Sequence, residues 1–426
     1  MNAFTVALLA ALALAGALEG WLAGRQSRCV RAHRDRVPEP FAERIGLAAH
    51  QKAADYTLAR LGLYRAALIL NALLLLGWTL GGGIDLADRA WSGLALPPLI
   101  TGAGVVASVL LLNALLHLPL AIYHTFVIEQ RFGFNRTTPG LFAADLLRRL
   151  ALAALIGTPL LCAALWLLRP APQTAGMPAD PWWWLYAWLG WLGVILLMSW
   201  LYPRLIAPLF NKFTPLADAG LRRRIGALLE RTGFASRDVF VMDGSRRSAH
   251  GNAYFTGFGR GRRIVFFDTL LLSLQPEEIE AVLAHELGHF KRRHIAKRIA
   301  LAALGGLAAM LILDGLLRQP DFYSGLGLTR PSGHGALLLF LLIAPVFATF
   351  LGPLSALLSR RHEYEADDFA ARAANAGDLI SALLKLYQDN ATTLTPDPLY
   401  AAFHYSHPPA GARIAHLAAH AQGRPA

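Results

Sequence analysis

The chain has 426 residues, 55% of them hydrophobic and 16% charged, with a formal net charge of +12 at pH 7. A mean hydropathy of +0.41 excludes an ordinary soluble globule. The basic residues cluster in stretches on one side of long apolar runs, so the charge reads as membrane topology and not as a nucleic-acid surface. Cys29 falls in a basic stretch and Cys162 inside an apolar run, which excludes a disulfide framework and a cysteine-based metal site.

Residues 2–24 are apolar. The basic residues follow this run instead of preceding it, and the run is too long for a signal-peptide core, so it reads as a first membrane span. Residues 25–60 read as a basic loop carrying Arg25, Arg28, Arg31, Arg34, Arg36, Arg44, Lys52 and Arg60. Further spans are expected at about 61–81, 98–123, 147–168 and 183–207. VIEQRFGFNRTTPG, with Arg131 and Arg136, reads as a polar connection between the third and fourth. Two more spans are expected at about 299–317 and 336–358. Seven spans put the N-terminus outside and the large polar block and the tail in the cytoplasm by the positive-inside rule. The chain divides into a membrane part, 1–207, and a part, 208–426, that holds the polar block and two further spans. Glu19, Asn71, Asn113, His117, Asp145 and Asp314 lie inside spans, where polar groups are costly. They could line a watery cavity, or Glu19 and Asp145 could pair with arginines near the interface.

The polar block mixes helix and strand. LADAGLRRRIGALLERTGF reads as an amphipathic helix closed by Gly233, and DVFVMDG (238–244) and RRIVFFDTL (262–270) as strands. Between them, Asn252 to Phe258 fits either an extended edge strand that could hold a peptide backbone or one arm of an ordinary hairpin turned by GRGR. The block ends in AVLAHELGHFKRRH, 281–294, which contains His285, Glu286 and His289 as H-E-x-x-H. Histidines four apart share one helix face and can reach one metal ion. Glu286 falls beside the open position, where it can take a proton from water. Pro276 suits the first helical position, and Glu277 and Glu278 suit the positive end of the helix dipole. His294, nine positions beyond His285, should point to another side of the helix and be no third ligand. Arg292 and Ile295 stand where a metzincin extension needs Gly and His.

A catalytic zinc needs a third protein ligand. Downstream, LSRRHEYEADDFAARAA (358–374) reads as a helix with Glu363 and Asp367 on one face and Glu365 elsewhere. Glu363 and Asp367 suit a ligand and a carboxylate that orients a bound histidine, or else a solvated acidic face pairing with Arg360 and Arg361.

H-E-L-G-H followed after two spans by S-R-R-H-E-Y-E-A-D-D-F-A resembles the type I CAAX prenyl protease family of integral-membrane zinc endopeptidases. VPEPF…HQKAADYTLAR, TFVIEQRFGFNRTT, SAHGNAYFTGF, RRIVFFDTLL and HYSHPPAGARIAHL extend the resemblance from about residue 36 to residue 416. The resemblance implies an α-helical membrane protein, seven helices around a hollow chamber, with an α+β (gluzincin-like) HExxH domain. It implies one zinc held by His285, His289 and Glu363, with Glu286 as general base and Asp367 as its acidic neighbour. It gives Asn252 to the substrate backbone, His407 to the oxyanion or substrate, and Arg413 to tying the tail to the site. The implied partners are the bilayer and a peptide or protein substrate, prenylated in eukaryotic members and cut before its last three residues. The Ala-, Leu- and Arg-rich composition suggests a bacterial chain of the inner membrane. Bacteria generally lack protein prenylation, which brings general proteolysis of membrane or misfolded proteins level with CAAX cleavage. A non-catalytic lipopeptide-binding protein and a transporter are the remaining readings. The intact Glu286 argues against the first and the metal-bearing polar block against the second.

Overall fold

A computed structural model describes residues 2–169, 178–234, 238–256 and 263–422. Among them, seven helices are long and apolar enough to cross a bilayer: Ala3–Ala32, Leu47–Trp78, Pro98–Glu129, Pro139–Leu167, Trp183–Phe210, His294–Leu317 and Gly333–Ala373. Each expected span overlaps one of them. Most of the helices overrun the spans. Helix α1 (Ala3–Ala32) and helix α2 (Leu47–Trp78) fill most of 25–60, where a loop is expected from the sequence. Hydropathy marks the hydrocarbon layer, about 30 Å thick. The 30 residues of α1 are about 45 Å long, so its charged end projects into water. There Arg34 holds Asp55 of α2 with two hydrogen bonds of 2.8 Å.

A short helix, α3 (Gly83–Ser92), precedes α4 (Pro98–Tyr123). Helix α4 continues through a π turn at His124–Glu129. A second π turn joins α5 (Pro139–Leu152) to α6 (Thr158–Leu167), and a third joins α7 (Trp183–Leu201) to α8 (Ala207–Phe210). Pro159 follows the second of these turns and Pro203 lies in the third. Proline has no N–H for the carbonyl one turn back, and a widened turn accommodates the missing bond.

The polar block builds β1 (Phe213–Pro215), α9 (Ala219–Arg231), β2 (Asp238–Met242), β3 (Ala253–Thr256) and β4 (Arg263–Phe267). The sheet order is β1-β2-β4-β3, with β2 and β4 parallel and the other pairs antiparallel. Asp218 caps α9 and Gly233 closes it at φ +61°. β4 ends at Phe267, short of the expected strand, because α10 (Asp268–Ser273) starts there. β3 is both readings at once: it pairs with β4 as a hairpin arm and forms the sheet edge among the described residues. Gly257, Phe258 and the GRGR stretch lie outside the described residues.

Helix α11 (Pro276–Lys291) packs its Ile279, Leu283 and Leu287 into one core with Ile225 and Leu228 of α9 and Phe266 of β4. It is followed by α12 (His294–Leu317), α13 (Pro320–Gly325), α14 (Gly333–Ala348), α15 (Gly352–Ala373), α16 (Ala376–Asp389), α17 (Pro398–His404) and α18 (Ala410–Ala421). Helix α15 carries the seventh span onward to lie against α11, and α16 and α18 pack over that pair.

Both readings of the intramembrane polar residues occur. Glu19, Asn71 and Asn113 line a cavity of about 450 Å³ between α1, α2, α4 and α14. Glu19 accepts from the Tyr64 hydroxyl at 2.7 Å and lies 3.1 Å from His404 Nε2, so its partners are not arginines. His117 Nε2 bonds Asn71 Oδ1 at 2.6 Å. Asp145 instead pairs with Arg148 at 2.8 Å and with Arg247 at 2.7 Å, which ties α5 to the polar block. Asp314 pairs with Arg318 at 2.9 Å.

Candidate metal centre and active site

Helix α11 begins where the sequence reading put it. Pro276 is its first residue, and Gln275 and Glu278 close a reciprocal cap in which Glu278 accepts from the Gln275 N–H at 2.7 Å. One turn per four residues then stacks His285 under His289, with their Nε2 atoms 3.2 Å apart. Glu363 of α15 reaches both: its Oε2 is 3.5 Å from His285 Nε2 and its Oε1 is 3.3 Å from His289 Nε2. Two imidazoles and a carboxylate around one tetrahedral ion, at bonds of about 2.0–2.1 Å, stand about 3.3 Å apart. The donor set and its spacing therefore fit a single divalent ion. Glu363 is 2% exposed, which dismisses the solvated acidic face for that residue. Arg360 turns away to the carbonyls of Ala401, Ala402 and Tyr405.

Gly288 lets the two helices come this close. A Cβ there would stand 2.8 Å from the Cα and 3.0 Å from the O of Ala366 on α15.

Each histidine is oriented from behind. His285 Nδ1 lies 2.8 Å from Asp367 Oδ1, and Asp367 is fully buried. Arg413 of α18 grips the same carboxylate, Nε to Oδ2 and Nη2 to Oδ1, both at 2.7 Å. Asp367 is the acceptor that both share, so His285 carries its proton on Nδ1 and offers Nε2 to an ion. Behind His289 stands His294, and here the sequence reading is corrected. Helix α11 stops at Lys291, Arg293 turns the chain with φ +56°, and α12 restarts at His294. The turn brings His294 Nδ1 to 2.9 Å from His289 Nδ1, while His294 Nε2 lies 3.1 Å from Glu365 Oε2. Glu365 can only accept, so His294 donates to it from Nε2 and accepts from His289 on Nδ1. His289 Nε2 is then free of a proton. His294 is no ligand, as expected, but it is 1% exposed and fixes a ligand. The run Lys291, Arg292, Arg293 at a helix C-terminus was the available signal for this break.

In front lies a cavity of about 330 Å³ lined by Asn252, Phe255, Glu286, Glu363 and His407 among others. The Glu286 carboxylate takes no hydrogen bond from any described residue. His407 bonds Glu363 Oε2 through Nδ1 at 2.6 Å and is 64% exposed, which leaves Nε2 to meet a visitor. Asn252 Oδ1 accepts from the Ala253 N–H at 2.8 Å, which leaves its amide N–H groups free to donate. The structure thus brings His285, His289, Glu363, Glu286, Asp367, Asn252, His407 and Arg413 to one place, and adds His294 and Glu365. A neighbouring cavity of about 860 Å³ shares Arg298, Ser359 and Ser406 with the first and opens between α12, α15 and α17.

Residues 26–212 match the family profile described as CAAX prenyl protease N-terminal, five membrane helices, and residues 215–421 match peptidase family M48. The chain is 36% identical over 327 residues to CAAX prenyl protease 1 of Saccharomyces cerevisiae, covering 72% of this chain and 69% of that one. It is 38% identical over 316 residues to the homolog of Arabidopsis thaliana (72% and 71%) and 33% identical over 338 residues to that of Homo sapiens (70% and 70%). Its fold matches the crystal structure of S. mikatae Ste24p with a TM-score of 0.87 at 30% identity, covering 98% of this chain and 99% of that one. Fold, site and relatives define an integral-membrane metalloendopeptidase. The chain belongs to the type I CAAX prenyl protease family, within peptidase family M48.

Proposed function

We propose that the protein is a zinc endopeptidase that cuts near the C-terminus of prenylated, CAAX-type peptides. The observation that carries the reading is the His285, His289 and Glu363 cluster at the floor of a cavity that also holds Glu286. The names of the relatives supply the substrate class. His285, His289 and Glu363 would hold the ion, which when bound polarises the scissile carbonyl and acidifies water. Glu286, with an unengaged carboxylate, takes the proton of the attacking water and returns it to the leaving amine. Carrying a proton on each ring nitrogen, His407 donates from Nδ1 to Glu363 and from Nε2 toward the oxygen that gains charge. Asn252 and the edge of β3, unpaired among the described residues, bond the substrate backbone as an added strand. Asp367, Arg413, His294 and Glu365 hold the ligand rings in their metal-binding tautomers. By charge the site faces the cytoplasm: of the 40 Lys and Arg, only Arg89, Arg169, Arg318 and Arg330 lie at the opposite ends of the spans.

The test is cleavage of a farnesylated CAAX peptide and its unprenylated twin by purified protein, with zinc counted by mass spectrometry. Wild type should bind one zinc through His285, His289 and Glu363 and cut the farnesylated peptide. Glu286→Ala should keep that zinc and lose about 10²–10⁴-fold in rate. A wild-type rate in this variant would remove Glu286 as the base. Equal cleavage of both peptides would replace CAAX processing with general turnover of membrane or misfolded proteins.

A further inference from the structure

The helix pair that carries Asp367 and Arg413 holds a second convergent cluster on its outer flank. Asp368 of α15 faces His416 and His420 of α18, whose Nε2 atoms donate to the same oxygen, Oδ1, at 2.7 and 2.8 Å. Asp368 Oδ2 takes no bond from any described residue. The Asp368, His416 and His420 side chains are 30%, 19% and 20% exposed, shielded enough to be ordered and open enough to admit an ion from water. The Tyr364 ring, 4.7 Å from that of His416, limits its movement. One donor atom from each residue falls within 4.8 Å of the others.

The pattern repeats that of the first centre: two histidines four apart on one helix and a carboxylate from α15. We propose that Asp368, His416 and His420 form a second divalent-cation site. Imidazole nitrogen paired with carboxylate suits Zn²⁺ and its neighbours Co²⁺ and Ni²⁺, and not Mg²⁺ or Ca²⁺, which take oxygen ligands. Binding moves each ring proton from Nε2 to Nδ1 by exchange with water and opens the N–O separations to about 3.3 Å. Water fills the remaining coordination. Asp367, which holds Arg413, precedes Asp368 on α15, and Arg413 lies one turn before His416 on α18. An ion here clamps the same two helices one step further along and secures the tail against the first centre.

The site shares no ligand with the first centre, so it can be tested separately. Tag-free full-length protein in detergent is stripped with a chelator and titrated with Zn²⁺ against a chromophoric competitor. Wild type should take two equivalents, the second at least tenfold weaker, and Mg²⁺ should not compete for it. His416→Gln/His420→Gln keeps hydrogen-bond donors for Asp368 and should take one equivalent, with the metal-free Tm unchanged. His285→Ala/His289→Ala should keep the weaker equivalent. Saturating Zn²⁺ should raise Tm in this last variant and not in a His416→Gln/His420→Gln chain that also carries His285→Ala/His289→Ala. One equivalent in wild type, or two retained in His416→Gln/His420→Gln, would overturn the proposal.

Discussion

Asp367 is a charged group with no exposure, and its partners explain why it tolerates that position. It takes two hydrogen bonds from Arg413 and one from His285. Asp367→Ala would strand the Arg413 guanidinium, itself 6% exposed, at a cost of about 3–5 kcal/mol. Asp367→Asn keeps the shape but accepts at one atom instead of two, and should weaken zinc binding about 10–100-fold while the chain stays folded. Competition titration and thermal unfolding on both variants separate the two effects. His294→Ala should produce the same order of zinc loss, since it leaves His289 Nδ1 without its acceptor. If His294→Ala binds zinc as wild type does, the orienting chain from Glu365 is not needed. These residues also mark what the sequence could reveal at this scale. His285 and His289 could be paired from spacing alone, because ligands one helical turn apart need no knowledge of the fold. Glu363 and Asp367 could be grouped but not assigned. Asn252, His407 and Arg413 come from distant segments and received roles only through family resemblance. Spacing along an unbroken helix points His294 away from the site, and a single residue at positive φ, Arg293, redirects the chain and brings it back.

Helix α11 is legible end to end except for that last turn, and what it packs on is not. The closeness of α11 and α15 depends on Gly288 facing the backbone of Ala366. Backbone cannot move aside as a flexible side chain can, so Gly288→Ala should force the helices apart, cost about 1–3 kcal/mol and draw Glu363 away from the histidines. Zinc retention and Tm would fall together, and full zinc content with a wild-type Tm would mean that the helix pair is looser than the contact implies. The start of α11 brings a pH dependence. Burial works against the charge on Glu278, but Lys385, the Gln275 N–H and Ser381 outweigh it and hold its carboxyl below the ordinary range. A lowered folded value means that the unfolded chain binds the proton more readily. The stabilisation is therefore complete above the ordinary glutamate value of about 4.5 and is lost as pH falls through the folded value. Tm should drop below about pH 4.5 in wild type, and more shallowly in Glu278→Gln. Strands β2 and β4 were visible in their Val, Ile and Phe runs. Helix ends were not, because hydropathy reports the bilayer and α1, α2 and α15 continue beyond it.

At the scale of the molecule, the membrane crossing count was legible because each span buries itself in lipid without help from distant residues. The contacts between spans were not, because lipid-facing and cavity-facing apolar positions look alike in a sequence. Glu19 illustrates this: its companions Tyr64 and His404 come from α2 and from the end of α17, so the first span and the tail meet at one carboxylate. Asp145 and Arg247 make a similar tie between α5 and the polar block. These contacts fix the catalytic half relative to the spans, so the side that one faces is the side of the whole. The charge asymmetry predicts that side. Attraction of basic ends to the cytoplasmic face acts on every loop of the spans, and only four of the 40 basic residues oppose it. With Cys29 and Cys162 replaced by serine, Ser92→Cys on the sparse side should react with an impermeant thiol reagent in intact cells. Gln422→Cys, beyond α18, should react only after the membrane is opened. The reverse pattern would put the metal centre outside the cell, where no cytosolic peptide could reach it, and the CAAX reading would fall together with the orientation.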